Sequence, residues 1–409
     1  MNVLFLHPLF PGQFRFLAEF FGKNKDHTTV FVTTDITRKE SQIPGVKKII
    51  VAEKASEKKQ SEQALKSSPG RAVANLLASL KKQNFIPDIV IGQSGSGIPM
   101  YVKDVFSQIP FLSFFEWYHS ADNLQESVGK GSDQELNILM SLRNKNIPIL
   151  ADLVSCDAGI CPTQWQKNQF PEEFHKKLHI INDGIDTRLF APLPAATFKT
   201  KDLDLSRVKQ LVTYTVNLLA PYPGVDQFMA SLPAVLEHKP DAHVVILGED
   251  RVFFGDAQGH KKSYKSMILE SVALDPARVH FIDRLSYENY TTLLQASTVH
   301  VYLDSPLVVS RLLLEAMACE CLVIASDSPP VKEVIRDGTN GIMIDFSSQE
   351  KISQKIINCL DFPSFMEKVK QKARQTIVDD YSLEKTIPLQ LGIIQKMVRQ
   401  SKNKADQFG

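Results

Sequence analysis

The sequence predicts an α/β protein of two domains, each with a mostly parallel sheet, and three observations lead to that prediction. Its 409 residues are too many for one hydrophobic core and suit two cores of ordinary size. Apolar runs of strand length alternate with segments in which apolar residues recur at helical spacing, which is the pattern of βαβ units. The stretch 191–206 has two prolines and no periodicity, so it predicts a linker between two such series.

The first series begins with the apolar run Asn2–Leu6, which predicts a buried strand. A turn at His7–Gly12 follows, and after it apolar residues return at helical spacing. The polar stretch Glu53–Ser68 predicts an exposed helix or a loop. Further strands of this series are predicted at 29–32, 48–51, 88–92, 111–115, 155–161 and 179–182.

The second series repeats the rhythm after the linker. Its strands are predicted at 211–214, 243–247, 280–282, 299–303, 322–325 and 342–345, and helices at 226–238, 287–296, 310–318 and 382–401, with a frayed tail. The predicted domains are therefore 1–190 and 207–380, joined by the linker 191–206 and followed by a terminal helix and tail at 381–409. Open parallel sheets bind ligands at the carboxyl ends of their strands, so the ligand site is expected there.

Composition excludes several classes of protein. A formal net charge of +1 gives no reason to expect a nucleic acid partner. The chain start lacks a cationic segment typical of a signal peptide, and no apolar run reaches the roughly 18 residues that span a bilayer. Five cysteines without a CxxC pair predict buried thiols rather than a zinc site or disulfides, as expected of a cytoplasmic protein.

The stretch Val299–Ile344 is the most informative motif. Its loop Asp304–Val309 leads into a helix that carries Glu315 one turn from its start. A helix N-terminus offers unpaired amide donors and a favourable dipole, so a diphosphate could bind there while Glu315 accepts hydrogen bonds from a ribose. The alternative is that Glu315 only forms pairs within its own helix.

Three stretches carry a resemblance to a known family. LLEAMACECLVIASDSPPVKEVIRDGTNG at 313–341 resembles the donor-site signature of glycosyltransferase family 4, which are retaining enzymes of the GT-B fold. FPGQFRFLA at 10–18 and PTQWQ at 162–166 resemble segments of a bacterial branch of that family. The resemblance implies two Rossmann-like domains with parallel sheets facing an interdomain cleft, a nucleoside-diphosphate sugar as donor, and neither a cofactor nor a metal.

The resemblance also implies roles for individual residues. Glu315 would hold the donor ribose. Independently of the resemblance, His119 follows a strand at the expected cleft, where a group that contacts the sugar or activates the acceptor would be useful; the alternative is a hydrogen-bonded structural histidine. The predicted catalytic residues are Glu315 and His119. The predicted donor-binding residues are Gly12, Arg284, Leu285, Val308, Val309, Ser310, Arg311 and Glu315.

The chain also departs from the family pattern within the predicted site. Leu307 stands where members carry the first glutamate of an E-x7-E pair, and Asn217 and Pro223 stand where relatives place cations. Losing two charge-assisted hydrogen bonds to a leaving diphosphate would cost roughly 3–6 kcal/mol. We hypothesise that Arg311 restores part of that charge, the alternative being a solvated surface arginine. In the first domain, family members usually carry His, Trp and Glu in the loop where this chain has Gln93, Ser96 and Ile98.

The sequence therefore predicts a glycosyltransferase that moves a sugar from a nucleoside-diphosphate donor, with retention, to a glycan, lipid-linked or protein acceptor. The alternative is a catalytically inactive glycosyltransferase-like subunit that binds glycan, nucleotide or a partner glycosyltransferase. Any membrane contact is expected to be peripheral, at the inner face. Lys261, Lys262 and Lys265 could form a basic helix face for it, although solvent is the expected environment.

Overall fold

The structure is a computed structural model and describes residues 1–37, 39–52, 62–120, 133–220, 223–255, 261–303 and 308–408. The chain divides into two compact units. Unit 1 comprises Met1–Asp183 together with Thr386–Gly409, and unit 2 comprises Gly184–Lys385.

Unit 1 is built on a seven-stranded parallel sheet in the order β3-β2-β1-β4-β5-β6-β7. Its strands are β1 (Asn2–Leu6), β2 (Thr28–Thr33), β3 (Val46–Ile50), β4 (Ile89–Gln93), β5 (Phe111–Phe114), β6 (Ala158–Cys161) and β7 (Leu178–Ile180). Its first helices are α1 (Arg15–Lys23), α2 (Glu62–Lys82), α3 (Val102–Val105), α4 (Asp133–Ser155) and α5 (Gln164–Asn168), with 3₁₀ turns at Gly12–Phe14 and Glu172–Lys177.

Unit 2 is built on a six-stranded parallel sheet in the order β12-β9-β8-β13-β14-β15, with a separate antiparallel hairpin β10-β11. Its strands are β8 (Gln210–Leu219), β9 (Ala242–Asp250), β10 (Val252–Gly255), β11 (Lys261–Ser263), β12 (Val279–Ile282), β13 (Val299–Tyr302), β14 (Leu322–Ser326) and β15 (Ile342–Ile344). The helices are α6 (Pro223–His238), α7 (Tyr264–Ser271), α8 (Tyr287–Ala296), α9 (Arg311–Ala318), α10 (Pro329–Lys332), α11 (Gln349–Asp361) and α12 (Pro363–Thr376), followed by a π turn at Ile377–Tyr381. Helix α13 (Leu383–Phe408) begins at the end of unit 2, and from Thr386 onward it belongs to unit 1.

Both faces of each sheet are covered, as the continuous apolar strands require. In β1, Leu4 and Leu6 pack in one core cluster with residues of α2 and α4. Val3 and Phe5, which point to the opposite face, pack in another cluster with residues of α1 and α13. The five cysteines are free and buried, which confirms that prediction.

The strand order reverses direction once in each sheet. In unit 1 the reversal lies between β1 and β4, and in unit 2 it lies between β8 and β13. The connections that leave these two neighbouring strands run to opposite sides, which opens a crevice at their carboxyl ends where ligands of such sheets bind. The fold therefore marks one such place in each unit.

The structure corrects the predicted domain boundaries. Residues 191–206 are part of unit 2, because Phe198 and Leu205 are buried in a core cluster with Leu211. The segment before them also belongs to unit 2, since the Arg374 guanidinium donates to the carbonyl oxygens of Thr187 and Phe190 at 3.2 and 3.0 Å. These contacts depend on residues distant in sequence, which local composition does not show.

The chain end and one basic cluster also differ from expectation. Helix α13 runs to Phe408 instead of fraying after residue 401, and Ile394 and Met397 anchor it in a core cluster of unit 1. Lys261 and Lys262 lie in β11 whereas Lys265 lies in α7, so the three lysines do not form one helix face. Of the helices within the described ranges, none combines the length and the apolar content needed to cross a bilayer.

Candidate functional site

A cavity of about 240 Å³ lies at the strand-order reversal of unit 2. The carboxyl ends of β8 and β13 form its floor, and the start of α9 closes one side. Gly224, in the first turn of α6, lies close by, since a Cβ on this residue would stand 2.2 Å from the Leu303 carbonyl oxygen. The described residues that line the cavity are Tyr214, Thr215, Val216, Asn217, Leu218, Ala220, Val225, Tyr302, Leu303, Ser310 and Leu312.

The start of α9 presents free backbone donors near this cavity. Ser310 caps the helix, and its hydroxyl accepts the Leu312 N–H at 3.2 Å. The Ser310 N–H itself donates to the Tyr302 hydroxyl at 3.2 Å. Within the described part of the chain, the N–H groups of Val308 and Val309 have no hydrogen-bond partner. Two amide donors are thus available to an anion at a helix N-terminus.

Glu315 is buried one turn inside α9, and three side chains hold it. Its carboxylate accepts a hydrogen bond from the Tyr290 hydroxyl at 3.1 Å and from the Tyr287 hydroxyl at 3.5 Å. Burial raises the pKa of Glu315, and the nearby Arg311 guanidinium offsets part of that rise. The carboxylate is therefore kept in a fixed position, and a ribose would have to share it with the two tyrosines.

Arg311 lies at the first position of α9, where its guanidinium Nε is 3.6 Å from a Glu315 carboxylate oxygen. About a third of its side chain is exposed, at 35%. A cation at a helix N-terminus is unfavourable unless an anion lies beside it, and Glu315 supplies that anion here. The structure therefore gives Arg311 a partner inside the protein, and its contribution to a bound phosphate stays a prediction.

Arg284 and Leu285 line a different cavity of unit 2, at the β12 edge of the sheet. The Arg284 side chain is 74% exposed and pairs with Glu249 at 2.9 Å. Leu285 is half-buried and packs against two core clusters. The cavity at β8 and β13 is lined by neither residue, so their predicted contact with a nucleobase is not supported by a shared pocket.

The described lining of the β8–β13 cavity contains no charged side chain. Asn217 is exposed at an irregularity in the pairing of β8 with β9, and Ala220 follows at the end of that strand. Pro223 is the first residue of α6, and Leu307 lies outside the described residues. An anion in this cavity would therefore depend on backbone amides and helix dipoles more than on cationic side chains.

In unit 1, a chain of hydrogen bonds joins the two strands at the strand-order reversal. His7, directly after β1, contacts the Gln13 side chain at 2.7 Å, and the Gln13 amide donates to the Gln93 side chain at the end of β4. This contact gives a structural reason for Gln13 in the segment FPGQFRFLA. Gly12 has a φ of +55°, and a Cβ there would lie 2.2 Å from the His7 ring. The conformation of this loop therefore requires a glycine at position 12.

His119 lines a cavity of about 280 Å³ at the carboxyl ends of β4 and β5, together with Gln93 and Glu116. The backbone of His119 is held from both sides, because its N–H donates to Asn146 Oδ1 at 3.0 Å and its carbonyl accepts from Asn146 Nδ2 at 2.6 Å. Gln166 of the PTQWQ segment donates to the Glu116 carbonyl at 2.7 Å. The matched segment therefore positions the loop that carries His119.

Ile98 does not belong to this cavity. It is 2% exposed and packs in the core cluster beneath the sheet. The Ser96 hydroxyl donates to the Gln93 carbonyl at 3.1 Å, which closes the turn between them. An apolar residue at position 98 thus has a packing role.

Two carboxylates of this region were not predicted from the sequence. Desolvation raises the pKa of Glu116, with the Asp183 carboxylate as the second cause, and solvent at this exposed side chain screens both effects. Burial raises the pKa of Asp152 to about 7, and this carboxylate accepts hydrogen bonds from Ser94 and Gly95 at 2.9 and 3.2 Å. Neither residue lies in a motif, so only the positions of α4 and the β5 loop reveal them.

Two family models match the chain. The model described as "Glycosyl transferase family 4 group" matches residues 25–190, and the model described as "Glycosyl transferases group 1" matches residues 199–376. Each match falls mainly in one unit, and together they leave only short segments of the chain uncovered.

Curated relatives match part of the chain at low identity. A GDP-mannose-dependent monoacylated alpha-(1-6)-phosphatidylinositol monomannoside mannosyltransferase of Corynebacterium glutamicum is 27% identical over 217 residues, which are 49% of this chain and 52% of the relative. Spore coat protein SA of Bacillus subtilis is 25% identical over 192 residues, 46% of this chain and 49% of the relative. The chain thus spans about half the length of these relatives.

Solved structures match over the whole chain. HepE of Anabaena, in complex with UDP-glucose, matches with a TM-score of 0.66 and 15% identity, covering 100% of both chains. Sucrose-phosphate synthase of Thermosynechococcus elongatus matches with a TM-score of 0.69 and 15% identity, covering 98% of this chain and 100% of that one. At such identity the likeness concerns the fold alone, and it confirms the GT-B fold with two Rossmann-like units. Because the two family models match both units, the chain belongs to the glycosyltransferases of the family 4 type.

Proposed function

We propose that the chain transfers a sugar from a nucleoside-diphosphate donor bound at the carboxyl ends of β8 and β13. The main support for this proposal is the arrangement at α9, where the free amides of Val308 and Val309 precede a buried, fixed Glu315 carboxylate. The amides suit a diphosphate, and the carboxylate suits the hydroxyl groups of a ribose. Relatives in the comparison include a GDP-mannose-dependent transferase and a protein crystallised with UDP-glucose, which supports a donor of this class.

The reaction proposed is transfer with retention. A bond forms between an acceptor hydroxyl oxygen and the anomeric carbon, while the bond from that carbon to the phosphate oxygen breaks on the same face. The leaving phosphate takes the hydroxyl proton, so the protein needs no covalent nucleophile and acts by positioning and by charge stabilisation. No metal or cofactor enters this proposal.

The acceptor is proposed to bind at the cavity of unit 1 that contains His119. Glu116 and Gln93 line the same cavity and offer a carboxylate and an amide to sugar hydroxyls. Because desolvation raises the pKa of Glu116, this side chain is protonated more readily than an ordinary glutamate, and a sugar hydroxyl can pair with it as donor or acceptor. A glycan, a lipid-linked sugar and a protein side chain all present hydroxyls of this kind.

A second function is favoured by one observation. The described lining of the β8–β13 cavity carries no cationic side chain, and the family resemblance implies a cation where Asn217 stands. Such a site could bind a nucleotide or glycan without stabilising a leaving diphosphate. The chain would then be a binding subunit of another glycosyltransferase, in which the fold is kept and turnover is lost.

One experiment separates the two functions. UDP-glucose, GDP-mannose and ADP-glucose are incubated with the full chain without acceptor, and release of the nucleoside diphosphate is followed alongside binding by calorimetry. An active transferase binds one donor and hydrolyses it slowly, and Glu315→Gln lowers both signals. Binding without release over many hours supports the binding subunit. If no donor binds and no nucleoside diphosphate is released, the result contradicts a donor site at α9.

A further inference from the structure

A second cavity of unit 1, of about 620 Å³, lies at the opposite edge of the sheet from His119. Its walls are formed by the amino ends of β5, β6 and β7 and by one face of α13. Because it lies at the other ends of the strands, it is separate from the site proposed for the acceptor. It is larger than the β8–β13 cavity of unit 2 and the cavity that contains His119.

Positive charge dominates the walls of this cavity. Lys176 and Lys177 enter from the 3₁₀ turn before β7, and Lys396 enters from α13. Lys177 donates only to the carbonyl oxygens of Val154 and Cys156, and no ion pair involves Lys176 or Lys396 within the described residues. Among the residues that the structure describes, these three ammonium groups therefore have no neutralising carboxylate.

The other charges of the cavity do not compensate for these lysines. Asp157 is the carboxylate of the described lining, and it already pairs with Lys103 at 2.7 Å. His179 also lines the cavity, and its pKa is lowered by burial and by the positive charges of Lys396 and Lys167. The cavity thus has a positive potential that an anion would relieve.

Helix α13 faces the cavity with two residues that are unfavourable within a helix. Pro388, Gly392 and Lys396 follow one another at intervals of four residues, so they share a face, and all three line the cavity. A Cβ on Gly392 would meet nothing within 4 Å, so packing inside the chain does not require a glycine here. A helical glycine costs about 1 kcal/mol relative to alanine, and its effect here is to keep the cavity open.

The remaining lining is mixed in polarity. Leu389 and Met397 provide apolar surface, and Gln108, Gln400 and Ser401 provide polar groups. Inorganic phosphate would use only the lysines. A larger molecule with a charged end and a polar organic body would use all three kinds of surface, within a volume typical of small-molecule sites.

We propose that this cavity binds a small, soluble organic phosphate monoester, with the phosphate held by Lys176, Lys177 and Lys396 and the organic part lying along Gly392. Lysines act as point charges that suit a phosphate dianion. The bound molecule would connect α13 to the amino ends of three strands, and it would therefore stabilise unit 1 against unfolding.

Glucose 6-phosphate is the probe, titrated by calorimetry into the full chain at constant ionic strength, with glucose as the uncharged control. Binding of the ester and not of glucose is expected. Lys396→Met, which keeps most of the aliphatic stem, should weaken binding about tenfold or more, since a charge-assisted hydrogen bond is lost. Lys402→Met is the matched control, because Lys402 lies further along α13, pairs with Asp88 and does not line the cavity.

A second variant keeps the test independent of charge. Gly392→Leu should fill the cavity and abolish binding, while the thermal midpoint stays equal or rises because leucine is the better helix former. Glu315→Gln should leave the ester bound, which separates this site from α9. The proposal is overturned if the ester does not bind at millimolar concentration, if Lys396→Met and Gly392→Leu bind it as the wild type does, or if binding occurs only to phosphatidic acid vesicles.

Discussion

Asp152 makes the stability of unit 1 depend on pH in a way that one substitution can isolate. Its side chain is fully buried, and Oδ1 has no hydrogen-bond partner in the structure, while Oδ2 accepts from Ser94 and Gly95. Burial raises its pKa to about 7 from the model-peptide value of 3.8. The hydrogen bonds to Ser94 and Gly95 offset only part of this rise, so the protonated carboxyl is the form that folds most favourably.

The direction of the effect follows from proton linkage. Because the folded pKa lies above the unfolded one, the folded chain holds a proton that the unfolded chain releases. The stabilisation is complete below about pH 4 and is lost as pH rises to about 7. At about 1.4 kcal/mol per pH unit, roughly 2–3 kcal/mol is lost between pH 5 and pH 7, or about 5–10 °C in the thermal midpoint of a unit of this size.

Asp152→Asn removes this term and keeps an acceptor oxygen for Ser94 and Gly95. The two tryptophans of the chain, Trp117 and Trp165, both lie in unit 1, so their fluorescence follows this unit alone. Between pH 5 and pH 7 the wild type should lose about 5–10 °C more than the variant. Asp104→Asn, which removes an exposed carboxylate, should behave like the wild type. Parallel pH profiles for wild type and Asp152→Asn would show that Asp152 does not couple unfolding to pH.

Three further substitutions test other parts of the account. Gly12→Ala should destabilise the fold by about 3 kcal/mol, because the positive φ of Gly12 and the nearby His7 ring both oppose a Cβ. Gly338→Ala should cost only about 1 kcal/mol in the same thermal unfolding assay, because Gly338 also has a positive φ but has open surroundings. Gln166→Leu should cost about 1–3 kcal/mol by tryptophan fluorescence, because it removes the donor to the Glu116 carbonyl, and an unchanged midpoint would contradict that role. Asn217→Lys should tighten nucleoside diphosphate binding about fivefold to tenfold in calorimetry, and the gain is limited because the position is exposed. An unchanged affinity would argue against a diphosphate beside this residue.

The pattern of strands and helices was predictable because it is local. Asn2–Leu6 and Tyr287–Ala296 have the predicted bounds, and β8 and β9 contain their predicted runs within longer strands. Apolar periodicity is set by which side chains face the core, and this is visible in any window of a few turns. The unit boundary was not predictable in the same way, since Phe198 is buried by residues far along the chain.

The site was predictable where a motif carried it. Ser310 caps a helix and Glu315 lies one turn further, as the motif predicted. The tyrosines that hold Glu315 come from α8, and no spacing in the sequence connects that helix to the site. In unit 1, Asp152 of α4 likewise contacts Ser94 without any spacing in the sequence that connects the two. Such partners become neighbours only through the tertiary fold.

A nucleoside diphosphate is proposed to bind at the start of α9 beside Glu315, and calorimetric titration of the full chain with UDP and GDP measures that binding itself. At least one of the two nucleotides should bind. The affinity should fall about tenfold or more in Glu315→Gln and stay unchanged in Glu288→Gln, whose side chain is exposed on α8. Absence of binding to the wild type, or equal binding to the wild type and to Glu315→Gln, would contradict the proposed site.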